Sequence, residues 1–171
     1  NYNKIISKDK PIDILIYGVY DRSLGTHETT RNYLLKHKHI NESSCYKFRH
    51  RLITKILKDK KLQHLNIKII ESGRGTTYSP IKGNDLFNLI KQSKFTIATC
   101  ANVLYLVEKY FEIPLNNSII IGNIPEYSPK KMKDNIINIK NSMSDDEIID
   151  ILINSVNNYE SHKSKLQLGE W

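Results

Sequence analysis

Alanine is almost missing from this chain: Ala98 and Ala101 are its only two in 171 residues. Cysteine is as scarce, and Cys45 and Cys100 lie far apart in different settings, which excludes a disulfide framework or a CxxC metal pair and is expected of a reducing compartment. No apolar run approaches the ~18 residues of a membrane span. The start Asn1-Tyr2-Asn3-Lys4 has no hydrophobic signal region either, so the expected location is cytoplasmic, the host cytoplasm or virion if the source is viral. GxxxxGK[ST], GxGxxG and GxSxG are all absent, and with them the signatures of P-loop, classical dinucleotide and α/β-hydrolase chemistry. Arginine is short too, only 5 of the 26 basic residues.

In their place stand 26 Ile, 21 Lys and 17 Asn, the residues an AT-rich viral or cellular genome writes. The net charge of +8 is therefore read as lysine spread over a surface, and nucleic acid is not the expected partner. A hydrophobic share of 39% and a length of 171 suit one soluble globular domain and neither a polyelectrolyte nor a membrane protein. Residue 1 is Asn rather than Met, as expected of an excised or trimmed chain.

Short apolar runs alternate with helix-periodic stretches, the pattern of a parallel sheet. The expected fold class is α/β: a Rossmann-like, three-layer α/β/α domain with a mainly parallel sheet. Strands are expected at Asp13 to Val19, Asn66 to Glu71, Phe95 to Thr99, Ser118 to Gly122 and Ile136 to Ile139. A basic helix is expected from about Cys45 to Asp59, with Phe48, Leu52, Ile53, Ile56 and Leu57 on its core stripe. Gly83-Asn84-Asp85 opens a helix carrying Leu86, Leu89 and Ile90, and another runs from about Val103 to Glu112. Ser144 and Glu147 have capping-box spacing, so helix capping accounts for the acids Asp145, Asp146 and Glu147 without a metal. The expected division is an extension over 1–11, the domain over 12–157, and a polar, loosely packed tail over 158–171.

In open α/β sheets ligands bind beyond the carboxyl ends of the strands. That directs attention to Gly18 to Tyr20, Ser72 to Gly75, Thr99 to Asn102 and Gly122 to Glu126, all small, glycine-bearing or polar, where backbone N–H groups can approach an anion. Glu112, at the end of its expected helix, meets the negative end of the dipole at a cost of roughly 0.3–1 kcal/mol. Either an (i, i+3) contact with Lys109 offsets that cost, or the carboxylate accepts hydrogen bonds from ribose hydroxyls. Two of the five arginines, Arg49 and Arg51, fall in one basic helix, and guanidinium forks match phosphate oxygens.

The segment Lys109-Tyr110-Phe111-Glu112-Ile113-Pro114, followed by Ser118-Ile-Ile-Ile-Gly-Asn123-Ile-Pro-Glu126, resembles the donor-binding half of GT-B glycosyltransferases. The DILIYGV strand, the Gly83-Asn-Asp-Leu helix and the Ser93-Lys-Phe-Thr-Ile strand entry extend the resemblance over roughly residues 12–155, and Tyr46-Lys47-Phe48-Arg49 is similar to a Tyr-x-Phe-Arg motif of viral and bacterial glycosyltransferase-like proteins. The resemblance implies a hexosyltransferase-like domain that binds a nucleoside-diphosphate sugar as substrate, with no cofactor and no essential metal. It implies Glu112 on the donor ribose. For the diphosphate it implies Arg49, Arg51 and Lys109 together with main-chain groups of Ala101, Asn102 and Val103. Ser72, Gly73, Arg74, Thr99, Asn123 and Glu126 would line the base or sugar, and Gly18 and Tyr20 the loop after the first strand. The catalytic base would come from an N-terminal acceptor domain of the same polypeptide, and the acceptor is a glycan, protein or small molecule. Many retaining members carry a second Glu eight positions before the ribose Glu, where this chain has Leu104; Glu108 is not at that spacing.

Other candidates read more simply. His37-Lys38-His39 has no acidic or thiol partner at ligand spacing and is expected in a solvated loop, and His27 beside Glu28 carries no mark of burial. The alternative to the enzyme is a non-catalytic α/β module, or a degenerate transferase domain, that binds protein or nucleic acid through its lysines, with affinity falling steeply in salt.

Overall fold

The computed structural model describes residues 10–18, 46–70, 81, 83–100 and 106–166. Its centre is a five-stranded, all-parallel sheet in the order β2-β1-β3-β4-β5, built from β1 (Ile12–Tyr17), β2 (Ile67–Ile70), β3 (Ser93–Ala98), β4 (Ile119–Gly122) and β5 (Ile137–Asn138). The strands are near-continuously apolar because both faces are covered. Ile14 and Ile16 face one layer with Phe95, Ile97, Ile119 and Ile121, while Leu15, Tyr17, Ala98 and Ile120 face the other. The first layer holds α1 (Lys47–Thr54), through Phe48, Leu52 and Ile53, and α5 (Asp145–Asn157), through Ile148, Ile149 and Leu152. The second layer holds α2 (Asn84–Lys91), α3 (Lys109–Leu115) and α4 (Lys130–Asp134), through Ile90, Tyr110, Ile113 and Met132. The chain thus forms a Rossmann-like three-layer α/β/α fold.

The strand order carries the functional consequence. The chain steps from β1 to β2 on one side, then returns past β1 to place β3 on its other side, in register Ile14↔Phe95 and Ile16↔Ile97. The connections flanking that reversal lie on opposite faces of the sheet, which leaves a crevice at the carboxyl ends of β1 and β3.

Three elements differ from the sequence reading. The basic helix expected to Asp59 is α-helical only to Thr54; two 3₁₀ turns follow, Ile56–Lys58 and Lys60–Leu62. The Thr54 hydroxyl donates back to the His50 carbonyl at 2.7 Å, and the Asp59 carboxylate accepts from Lys61 N–H at 2.9 Å, so polar side chains compete with the helix ladder. The tighter turns still bury Ile56, Leu57 and Leu62.

The helix expected over Val103 to Glu112 begins at Lys109 and runs through Pro114; Leu106 and Val107 are not helical, and 101–105 fall outside the described residues. Pro114 forgoes only its own bond to the carbonyl four residues back, and the stop comes later, at Asn117 with φ +59°, a left-handed turn that Asn tolerates. Glu112 therefore sits in the first turn of α3, not the last, and the dipole cost assigned to it above does not arise.

The segment expected to pack loosely after 157 is tied to the core. A short helix α6 (Tyr159–His162) and a 3₁₀ turn (Lys163–Leu166) place Tyr159 edge-on to Phe95 at 5.5 Å and bury Leu166. The capping box at the start of α5 is formed in both directions, Glu147 N–H to Ser144 Oγ and Ser144 N–H to Glu147 Oε2.

Candidate functional site

β1 ends at Tyr17, and Gly18 follows with φ +111°, a conformation that L side chains rarely adopt. A Cβ at Gly18 would stand 2.5 Å from Lys109 Nζ and 3.1 Å from Arg49 Nη1. Two cations, one from each helical layer, therefore close on one backbone point at the switch between β1 and β3.

Arg49 is 5% exposed and reaches the site from the first turn of α1. Its Nε donates to Thr99 Oγ1 at 2.9 Å and its Nη2 to the Thr99 carbonyl at 3.1 Å, so the guanidinium is anchored just beyond β3. Its charge lies 4.6 Å from the centre of the Tyr46 ring. This explains the local pattern Tyr46-Lys47-Phe48-Arg49: Tyr46 and Arg49 stack beside the crevice while Phe48 enters the core.

Lys109, the first residue of α3, donates from Nζ to the Tyr17 carbonyl and lies 4.0 Å over the Tyr17 ring. Among the described residues no carboxylate pairs with it. Burial, then the Arg49 charge, hold its ammonium well below the ordinary lysine range, with Glu112 opposing. One turn on, Glu112 accepts a hydrogen bond from Tyr17 Oη at 3.1 Å through Oε2. Burial and then the Glu112 charge push the Tyr17 phenol upward, so it stays a donor.

Tyr17 thus touches Lys109 with its carbonyl and ring and Glu112 with its hydroxyl. It was missed in the sequence because the expected strand ran on to Val19 and left Tyr17 inside it. The usable signal was its position: the final strand residue next to a switch-point glycine.

These groups line an open crevice of about 570 Å³, within the range of small-molecule sites. Leu86, Leu106 and Val107 supply apolar wall, and Glu108 completes the rim. Of the residues singled out in the sequence, Gly18, Arg49, Lys109 and Glu112 meet here, with Thr99 anchoring Arg49.

Others go elsewhere. Arg51, expected on the diphosphate, binds Asp145 Oδ1 through Nε at 2.8 Å and the carbonyls of Asn141 and Met143, both at 2.7 Å. It joins α1 to the start of α5, because two residues along a helix turn a side chain away from Arg49. Lys55 and then Arg51 hold the Asp145 carboxyl below its usual range. Asn123 spends its side-chain carbonyl on Cys100 N–H at 3.0 Å, and its main-chain carbonyl accepts from Tyr110 Oη. Beside it Gly122 leaves no room for a Cβ, which would run into the Ala98 carbonyl. Glu126 is exposed, and its main-chain carbonyl accepts from Lys133. Burial raises the Cys100 thiol, and Tyr110 Oη lies 3.2 Å from its sulfur. Tyr20, Ser72, Gly73, Arg74, Ala101, Asn102, Val103 and Leu104, with His27, His37, His39 and Cys45, lie outside the described residues.

Among the described residues no group of three or more His, Cys, Asp or Glu side chains could hold a metal ion, and no helix is long and apolar enough to cross a membrane. No protein-family model, curated protein or solved structure matches the chain. What fold and crevice define together is a class: a Rossmann-like α/β domain with two cations, Arg49 and Lys109, and two carboxylates, Glu108 and Glu112, at its switch point.

Proposed function

We propose that the crevice binds a nucleoside diphosphate, and that the chain is the donor-binding domain of a glycosyltransferase whose donor is a nucleotide sugar. The observation that carries the reading is the convergence of Arg49 and Lys109 on Gly18, one turn of α3 away from the Glu112 carboxylate. A diphosphate placed against Gly18 meets a guanidinium already oriented by Thr99 and, beside it, the Lys109 amine. Glu112 Oε2 is occupied by Tyr17, which leaves Oε1 to accept a ribose hydroxyl. Catalysis in such a domain is electrostatic and positional: the cations stabilise the departing diphosphate while the ribose contact fixes its register. The sugar acceptor and the base that activates it belong to another part of the enzyme.

The test is calorimetry and thermal shift with UDP, GDP and their sugars. The reading expects one nucleoside diphosphate to bind and raise the melting temperature, and Glu112→Ala to weaken it without weakening inorganic pyrophosphate. It fails if neither nucleotide stabilises the chain.

A further inference from the structure

The Lys109 amine has more chemistry available than a diphosphate contact requires. Of its three possible donors, one is used, on the Tyr17 carbonyl, and no carboxylate among the described residues neutralises it. It faces an open crevice rather than a closed core. The charged and titratable groups around it are Arg49 from α1, Tyr17 from β1, and Glu108 and Glu112 flanking it on its own segment. The Tyr17 ring and Glu112 favour the ammonium; desolvation and the neighbouring guanidinium oppose it and prevail. A half-buried lysine beside a second cation, with its amine on an open crevice, is an arrangement that favours a nucleophilic amine.

We propose that Lys109 is a nucleophilic amine and that the crevice takes small phosphorylated aldehydes, which condense with it as imines while Arg49 holds the phosphate. The nitrogen lone pair attacks the aldehyde carbon, a C–N bond forms, and the carbonyl π pair moves to oxygen. One amine proton passes to that oxygen to give the carbinolamine. The C–O bond then breaks, the hydroxyl leaves as water with the second amine proton, and C=N remains. No oxidant or reductant is involved. The N–H bond to the Tyr17 carbonyl holds the amine at the rim of the crevice, and Gly18, without a side chain, leaves the approach open. The inference does not depend on the nucleotide reading.

The experiment treats the full chain with limiting glyceraldehyde 3-phosphate or, in parallel, glyceraldehyde, traps any imine with cyanoborohydride, and locates the adduct by peptide mass spectrometry. The expected result is one adduct, at Lys109 out of 21 lysines, formed at least about tenfold faster with the phosphate than without it. Lys109→Arg removes it, and if that variant does not fold, the site selectivity in the unmodified chain decides alone. Adducts spread over exposed lysines such as Lys55 and Lys61, with Lys109 no faster than they are, overturn the proposal. So does equal labelling by the two aldehydes, which removes Arg49 from the site. Protection by UDP supports both readings. An adduct at Lys109 in a chain that binds neither UDP nor GDP sustains the imine site and overturns the nucleotide.

Discussion

Two lysines, one buried and one half-buried, stand at opposite ends of the same sheet and are treated in opposite ways. At the amino end Lys10 Nζ donates to the carbonyls of Lys91 at 2.7 Å, Ser93 at 3.0 Å and Asn117 at 2.7 Å, so all three of its donors are spent on backbone that ends α2, starts β3 and closes the turn after α3. At the carboxyl end Lys109 has one carbonyl, one aromatic face and an arginine for a neighbour. Both amines lose affinity for the proton through burial, Lys10 to about 8 and Lys109 well below its ordinary range. What separates them is satisfaction: Lys10 spends all three donors on backbone carbonyls, whereas among the described residues Lys109 spends one.

The largest difference should come from removing each amine. Lys10→Met orphans three carbonyls and is expected to cost about 2–3 kcal/mol in urea unfolding, leaving UDP affinity unchanged. Lys109→Met should do the reverse, raising stability at pH 7 by on the order of 1 kcal/mol while UDP binding falls. If both variants lose stability equally, the comparison collapses.

Gly18→Ala comes next. It meets a φ of +111° and the Lys109 ammonium at once, and should cost about 1–3 kcal/mol and lower UDP affinity about tenfold. Gly83→Ala, at φ +51° and ψ −119° with nothing within 4 Å, should cost about 1–3 kcal/mol through backbone strain alone and spare binding.

Lys10 should also be visible in the pH dependence of stability. Lys10 titrates near 8 folded and 10.5 unfolded, so between those values the unfolded chain holds more protons and stability rises with pH. That rise should flatten in Lys10→Met, as read by urea midpoints from pH 6 to 10. The smallest effect is expected of Tyr17→Phe. Stability should shift by less than about 1 kcal/mol, and UDP affinity should drop a few-fold with pyrophosphate binding unchanged, because only the hold on Glu112 is lost.

Much of this could be read from the residues in order. The apolar strands, the buried stripe from Phe48 to Leu57 that α1 and the 3₁₀ turn after it share, and the Ser144–Glu147 capping box are consequences of near-neighbour periodicity and capping, and the structure contains them. Gly18, Arg49 and the pair Lys109 and Glu112 were also picked out, but on three separate segments. What could not be read was partnership. Nothing near Arg51 in sequence announces Asp145, and Lys10 looks like any surface lysine until three distant carbonyls are brought around it. Tyr17 was hidden by its strand, and the helix expected over Val103 to Glu112 instead spans Lys109 to Leu115, through Pro114.

By itself, then, the sequence determined a layered α/β domain, its strand cores and helix caps, since these depend on burial patterns and hydrogen bonds within a few residues. The order β2-β1-β3-β4-β5, the crevice it opens, and the groups that surround Lys10 and Lys109 were decided only in three dimensions. The physical reason is that a buried charge takes its character from how many partners surround it, and those partners come from β1, β3, α1 and α3, whose meeting is a property of the sheet and not of any one segment.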